Sequence, residues 1–455
     1  MRLEINVSLA KINEKRFHVH VEGQSLQDET TLTLEALANV PGLKILELHT
    51  EDGWGNPLLC NISEKTITIP TRRFLLEYDL QTTYTDCMGA DREVYLMYPF
   101  INEYEVFLGV GCLPVPTSLP QELNDLQVQF KLMDIPAGWN IFSNGMQGQI
   151  EPTKLEGFFV YVTTGLSSTE HTYVAQKQRV FFNLVVQRGK TIPQQPYELW
   201  DYIDRFMVWI ESAVAPYHGQ QDINILILQA PDDFEQQTEG RAFATGENVP
   251  NGIIVYAPKN PTYLWKLFEH DNYAYFLEDG LAHELTHFYT TSNWAGRAKS
   301  VLYPSPTCPP DEARLLGEYL NQYCYNQFMY QANPTQFFTY YLSRILQKQQ
   351  KRGGRSPILD LFLLDTYLQR QGHSVLALFG VMVWEKQRRP GPYESAQLMF
   401  TVMHDWLGLE VPTHLKSQLL GKEAPNYPAF VEKALAERGY RLVRHHDVLE
   451  IRQGY

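Results

Sequence analysis

The sequence predicts a multidomain α+β protein: an N-terminal antiparallel β-sandwich-like region, a mixed middle lobe and a C-terminal α-helical domain. Three observations carry this. Short runs alternating apolar with polar residues fill residues 1–190. The hydrophobic period then changes from two to three or four. Beyond residue 334 almost every segment has helical spacing. The boundaries read from these changes are 1–190, 191–333 and 334–455. The chain has 455 residues, and 44% of them are hydrophobic. That is enough for two or three domains with their own cores.

In the first region, Met1-Arg2-Leu3-Glu4-Ile5-Asn6-Val7 alternates like a strand and lacks the apolar core of a signal peptide. Strands are predicted again at residues 17–21, 66–69, 128–132 and 158–162. Turn residues punctuate them, including Gly42, Gly53-Trp54-Gly55-Asn56-Pro57 and Pro136-Ala137-Gly138. Many short strands without intervening helices imply a sandwich. The histidines here (His18, His20, His49 and His171) are scattered and read as ordinary residues.

A boundary falls at residues 187–196, which hold one glycine, two prolines and three glutamines. Leu199, Ile203, Phe206, Ile210 and Val214 then define an amphipathic helix over 197–214. Residues 223–228 and 253–256 read as strands. Residues 241–252 read as the loop joining them. The next helix contains Gly280-Leu281-Ala282-His283-Glu284-Leu285-Thr286-His287-Phe288-Tyr289, with Tyr275, Phe276, Leu281, Leu285 and Phe288 on or near one face. Asp271 or Asn272 is placed to cap it, or Asp279 if it starts later.

That helix carries His-Glu-x-x-His, a pattern whose chemistry follows from its spacing. Positions i and i+4 share a helical face, so His283 and His287 can offer imidazoles to one zinc ion. Glu284 reaches past the metal to a bound water as general base. Zinc lowers the pKa of such a water to about 7. A catalytic zinc needs a third protein ligand and an open position. The best candidate is Glu318, mid-helix among apolar neighbours; Glu312, near Pro309 and Pro310, is the rival. Within the 241–252 loop, Glu247 reads either as a polar loop residue or as an anchor for a substrate's ammonium group.

Helices are expected at 335–351, 357–371, 374–387 and 393–406, with a terminal strand or two from 441 onward. His445-His446 reads as a solvated tail rather than a second metal site. A formal charge of −14 argues against nucleic acid as a partner. The longest apolar run, Val375 to Trp384, is too short to span a membrane. Five cysteines (Cys60, Cys87, Cys112, Cys308 and Cys324) without a Cys-x-x-Cys pattern fit a reduced cytoplasm best.

On these motifs the chain resembles the glycyl aminopeptidases (family sixty-one), gluzincin zinc metallopeptidases related to the alanyl aminopeptidases. The resemblance implies a thermolysin-like zinc lobe after an N-terminal β region, and a zinc aminopeptidase acting on peptides with a free N-terminus. It implies His283, His287 and Glu318 as ligands and Glu284 as base. Glu247 and Asn248 would be substrate-binding residues, because Thr245-Gly246-Glu247-Asn248 aligns with the family's Gly-Leu-Glu-His. Tyr319-Leu320-Asn321 replaces the usual Gly-Phe-Thr after the glutamate ligand. The family's PDZ-like domain is not expected here. Its transition-state tyrosine aligns with Gly353-Gly354-Arg355-Ser356-Pro357, where no tyrosine stands. Arg355 is one replacement donor, although a plain loop arginine is the simpler reading; Tyr319, Tyr323 and Tyr340 are others. Three readings therefore stay open: an aminopeptidase, a zinc- and peptide-binding homologue with weakened turnover, and an endopeptidase without an amine anchor.

Overall fold

The computed structural model describes residues 1–34, 42–63, 65–85, 99–109, 112–117, 126–144, 148–150, 157–176, 178–187, 196–217, 221–229, 245–249, 252–257, 277–291, 300–331, 333–421, 426–445 and 448–454. The chain divides into two compact units. One comprises Met1–His171, Phe181–Pro196 and Asp222–Gly280; the other comprises Thr172–Val180, Tyr197–Gln221 and Leu281–Tyr455.

The first unit begins with the alternation expected of half-buried strands. Along Arg2–Ser8, Leu3, Ile5 and Val7 are fully buried, and Phe17, Val19 and Val21 repeat the pattern in Arg16–Gln24. Six strands form the largest sheet, in the order 148–150, 127–133, 2–8, 16–24, 73–82, 43–52. Two four-stranded sheets contribute Leu32, Ile67 and Ile69, and Val106, Leu108, Val160 and Val162, to the same apolar core. The region is not wholly antiparallel, because Arg2–Ser8 runs parallel to Gln127–Met133. These strands are more than a hundred residues apart, so no tight turn dictates their direction. The expected strand at 158–162 begins at Val160.

A five-stranded sheet follows, ordered 166–174, 179–187, 222–229, 252–257, 245–249. Its middle strands are parallel, and Ile223, Ile225, Leu226, Ile227 and Leu228 are all buried. Such near-continuous apolar runs belong to strands covered on both faces. Part of the 241–252 stretch is a strand rather than a loop. Thr245–Val249 pairs antiparallel with Gly252–Ala257, which gives its backbone groups ladder partners.

In the second unit the helix Pro196–Ala213 buries Leu199, Ile203, Phe206 and Ile210 completely. The helix carrying His283 spans Leu277–Thr286, with His287 in the turn just after it, so Asp279 lies inside the helix rather than at its cap. Asp271, Asn272, Tyr275 and Phe276 fall outside the described residues. Helices Pro357–Arg370 and Val375–Arg388 match expectation closely, and Gln397–Leu407 starts later than predicted. The predicted 335–351 helix is interrupted by a π-helical segment, Phe337–Leu342. Gly380 permits a close approach: a Cβ there would sit 2.1 Å from the Val214 carbonyl oxygen. Tyr440–His445 and Val448–Gln453 close the chain as an antiparallel hairpin, with His446 outside the described residues. Among the described residues no helix is long and apolar enough to cross a membrane.

Arg355 is bound into this helical packing. Its Nε donates to Asp360 Oδ2 at 3.0 Å and its guanidinium also donates to the Leu419 carbonyl. Tyr427 donates to Asp360 Oδ1 at 2.8 Å. Burial pushes the Asp360 carboxyl up to about 6, against the pull of Tyr427 and Arg355. Folded Asp360 therefore keeps its proton to higher pH than the unfolded chain does. Its contribution to stability is complete below the ordinary 3.8 and is lost as pH rises through about 6. Asp360→Asn is expected to remove a stability decline worth up to about 3 kcal/mol between those values. Urea midpoints of both proteins across this pH range test it; parallel pH profiles would contradict it.

Candidate metal centre

The site begins on the helix Leu277–Thr286. Leu281, Ala282, Leu285 and Thr286 are buried, which fixes the rotation of the helix and turns His283 and His287 to a common side. The helix tightens at its end: the amides of His287, Phe288 and Tyr289 bond to the carbonyls of Glu284, Leu285 and Thr286. His287 therefore sits in an i→i−3 turn just past the helix, and its ring meets that of His283 edge to face with centroids 4.8 Å apart. The two Nε2 atoms lie 3.1 Å apart, with the rings near perpendicular at 84°.

His287 Nδ1 lies 2.9 Å from the Thr290 carbonyl oxygen. A carbonyl only accepts, so Nδ1 carries the proton and Nε2 presents its lone pair. Burial, and then the neighbouring His287, hold His283 well below the usual imidazole pKa, which favours its neutral form. It still keeps 25% of its side-chain surface accessible. Glu318 lies in a π-helical turn, Leu315–Tyr319, and places Oε2 3.7 Å from His283 Nε2 and Oε1 3.7 Å from His287 Nε2.

These separations fit a cation. Ligand atoms about 2.0–2.1 Å from a tetrahedral zinc lie about 3.3–3.4 Å from one another, against the 3.1–3.7 Å found here. All three donors lie within 4.8 Å of one another. Two neutral imidazoles and a carboxylate are a donor set suited to zinc, and 42% exposure of the Glu318 side chain leaves the cluster open on one side. Glu284, one residue after His283, is buried.

The rival third ligand is committed elsewhere. Glu312 accepts from Ser395 Oγ at 2.5 Å and the Ala396 amide at 2.8 Å, just before the helix Gln397–Leu407. Glu247 and Asn248 stand opposite Ile254 and Ile253 on the edge strand Thr245–Val249, and their side chains lie outside the described residues. Arg355, bonded to Asp360 and Leu419, serves the helix packing instead of the histidine cluster. Tyr323 donates to Asp365 Oδ2 at 3.3 Å, and Tyr340 lies under Arg344.

Several contributors escaped the sequence reading. Tyr325 packs its ring edge-on against His283, with centroids 5.3 Å apart. Asn321 Nδ2 donates to the His283 carbonyl at 3.1 Å. Both stand at helical spacing from Glu318, three and seven residues on, which was the available signal. Buried Tyr393 donates to the carbonyl of Ala313 at 3.3 Å and reaches that of Thr291 at 3.5 Å. It clasps the segments on either side of the cluster, and nothing in its local sequence announces this.

No protein-family model matches the sequence, and no curated protein matches it. Solved structures do. An aminopeptidase N family protein from Idiomarina loihiensis superposes with a TM-score of 0.64 at 13% identity, covering 97% of this chain and 79% of that one. The fold is similar to that of solved M1 zinc metallopeptidases. A mutant M1 zinc metallopeptidase from Deinococcus radiodurans, bound to a Tyr-Ser-Ala substrate, gives 0.54 at 12% identity and covers 94% and 95% of the two chains. Legionella pneumophila aminopeptidase A, in complex with aspartic acid, gives 0.53 at 9% identity over 92% of this chain and 49% of that one.

If these three side chains hold the metal, wild type retains about one zinc per chain through dialysis. Glu318→Ala is then expected to lose most of it, whereas Glu312→Ala keeps it. Elemental analysis of the dialysed proteins decides; full zinc content in Glu318→Ala would contradict the assignment.

Proposed function

We propose that the chain is a zinc-dependent metallopeptidase of the aminopeptidase kind, hydrolysing N-terminal residues of peptides by metal-activated water. The observation that carries this reading is the convergence of His283, His287 and Glu318 at ligand spacing, with buried Glu284 on the next helical position. The fold of the M1 aminopeptidases supports it independently, as do the peptide and amino acid held by two of the neighbours. The glycyl aminopeptidase branch, suggested by the motifs, is our finer placement.

In this mechanism His283 and His287 would hold the zinc through Nε2 and Glu318 through its carboxylate. The bound zinc supplies Lewis acidity toward a water and a peptide carbonyl. Glu284 takes the water's proton and passes it to the leaving amine, which is why a carboxylate is needed there and an amide would fail. Thr290 holds His287 in the tautomer that leaves Nε2 unprotonated. Glu247, with Asn248 beside it, pairs with the substrate's α-ammonium and sets where the substrate begins.

Reduced turnover is the second reading, and a specific observation favours it. Arg355, Tyr323 and Tyr393 each donate to a group in the surrounding packing rather than to the open side of the cluster. None of these three then donates to the developing oxyanion, and losing one such donor costs about 10²–10³ in rate.

Glu284→Gln keeps the shape of the side chain but cannot accept a proton. Hydrolysis of aminoacyl-anilides is expected to fall at least ~10²-fold with zinc content unchanged. Equal turnover in the variant removes Glu284 from the chemistry. Glu247→Ala is expected to raise KM for free-amine substrates by more than for N-acetylated ones. Steady-state kinetics on both classes test this, and equal effects would favour an endopeptidase.

A further inference from the structure

The turn that carries Glu318 is unusual. Leu315–Tyr319 is π-helical, between the α-helical turns Pro310–Arg314 and Leu320–Met329. A π turn holds an extra residue, which shifts the side chains after it and disturbs the regular i→i−4 pairing of carbonyls. Here a side chain from the metal helix's own exit meets those carbonyls. Thr290 Oγ1 lies 3.0 Å from the Leu316 oxygen and 2.8 Å from the Gly317 oxygen, and Thr290 is fully buried. Its main-chain carbonyl is the one that accepts from His287 Nδ1. One residue thus holds His287 with its backbone and the turn before Glu318 with its hydroxyl.

A second tie lies on the other side of Glu318. Asn321 Nδ2 donates to the carbonyl of His283, and its Oδ1 is buried without a hydrogen-bond partner among the described residues. A buried amide using half its capacity carries a desolvation cost that an apolar side chain of similar size would avoid. Its donor therefore has a task that packing alone does not require. The two ties bracket Glu318, at residues 316 and 317 before it and 321 after it.

We propose that Thr290 and Asn321 are positioning residues that lock the π turn against the histidine helix, so that the Glu318 carboxylate is held facing both imidazoles. The proposal rests on reading the three side chains as a metal centre. The ties preset the third ligand, so binding zinc need not also order the helix that carries it.

The test is zinc affinity, measured on the full chain by competition with a chromophoric chelator. Thr290→Val keeps the shape of the side chain and deletes the hydroxyl; it is expected to weaken zinc binding about 10–100-fold. Thr290→Ser, which keeps the hydroxyl, is expected to restore most of the affinity. A role confined to stability would lower the unfolding midpoint of the metal-free protein and leave affinity alone. Because Thr290 acts through Glu318, Thr290→Val in a Glu318→Ala background is expected to add almost no further loss. Unchanged affinity in Thr290→Val, or losses that simply add in the double variant, would overturn the proposal. Should Thr290→Val not fold, Asn321→Leu replaces it, with the same expected loss and the same contradicting result. If Glu318→Ala itself binds zinc normally, the metal-centre reading fails first, which separates the two failures.

Discussion

Two imidazole nitrogens 3.1 Å apart, each 3.7 Å from one oxygen of the same carboxylate, are the constraint around which this part of the second unit is arranged. Imidazole nitrogens and a carboxylate do not gather this way to satisfy each other, because lone pairs repel and each group gives up water. A cation in the gap would turn that repulsion into attraction, which is how we read the arrangement. Everything around it serves to keep the gap open at that size. The two imidazoles meet edge to face at the tightened helix end, and the Thr290 carbonyl fixes a tautomer. The π turn aims the carboxylate, while Tyr325 packs against His283 from the side.

The hydrophobic pattern carried most of the architecture. Period-two runs became strands and period-three-or-four runs became helices, as at Arg2–Ser8 and Pro196–Ala213. The histidine pair was equally legible, since its geometry follows from helical spacing alone. That Glu318 rather than Glu312 lies beside the histidines was legible for a different reason. A glutamate within two residues of a helix start has backbone donors and caps close by, whereas one mid-helix among apolar neighbours needs a partner. The structure gives Glu312 such a capping task, at the Ala396 amide.

Other features left no local trace. The carbonyls of the π turn are met by Thr290, twenty-six residues away from Leu316. The strand Thr245–Val249 contains a glycine, a glutamate and an asparagine, poor strand formers whose conformation is decided by the neighbouring Gly252–Ala257. The parallel pairing of Arg2–Ser8 with Gln127–Met133 likewise depends on distant residues. Identity of 9–13% to structural neighbours shows how little of the sequence the fold demands. Apolar volume and periodicity can be met by many side chains, while function resides in the few that meet at a site.

The account's central claim is that these residues form one zinc centre, and a zinc-loaded crystal structure with anomalous scattering at the zinc edge tests it most directly. A single strong peak is expected, with His283 Nε2, His287 Nε2 and a Glu318 oxygen about 2.0–2.2 Å from it. An ion bound with Glu318 turned away, or a zinc peak anywhere else in the chain with this cluster empty, would contradict it.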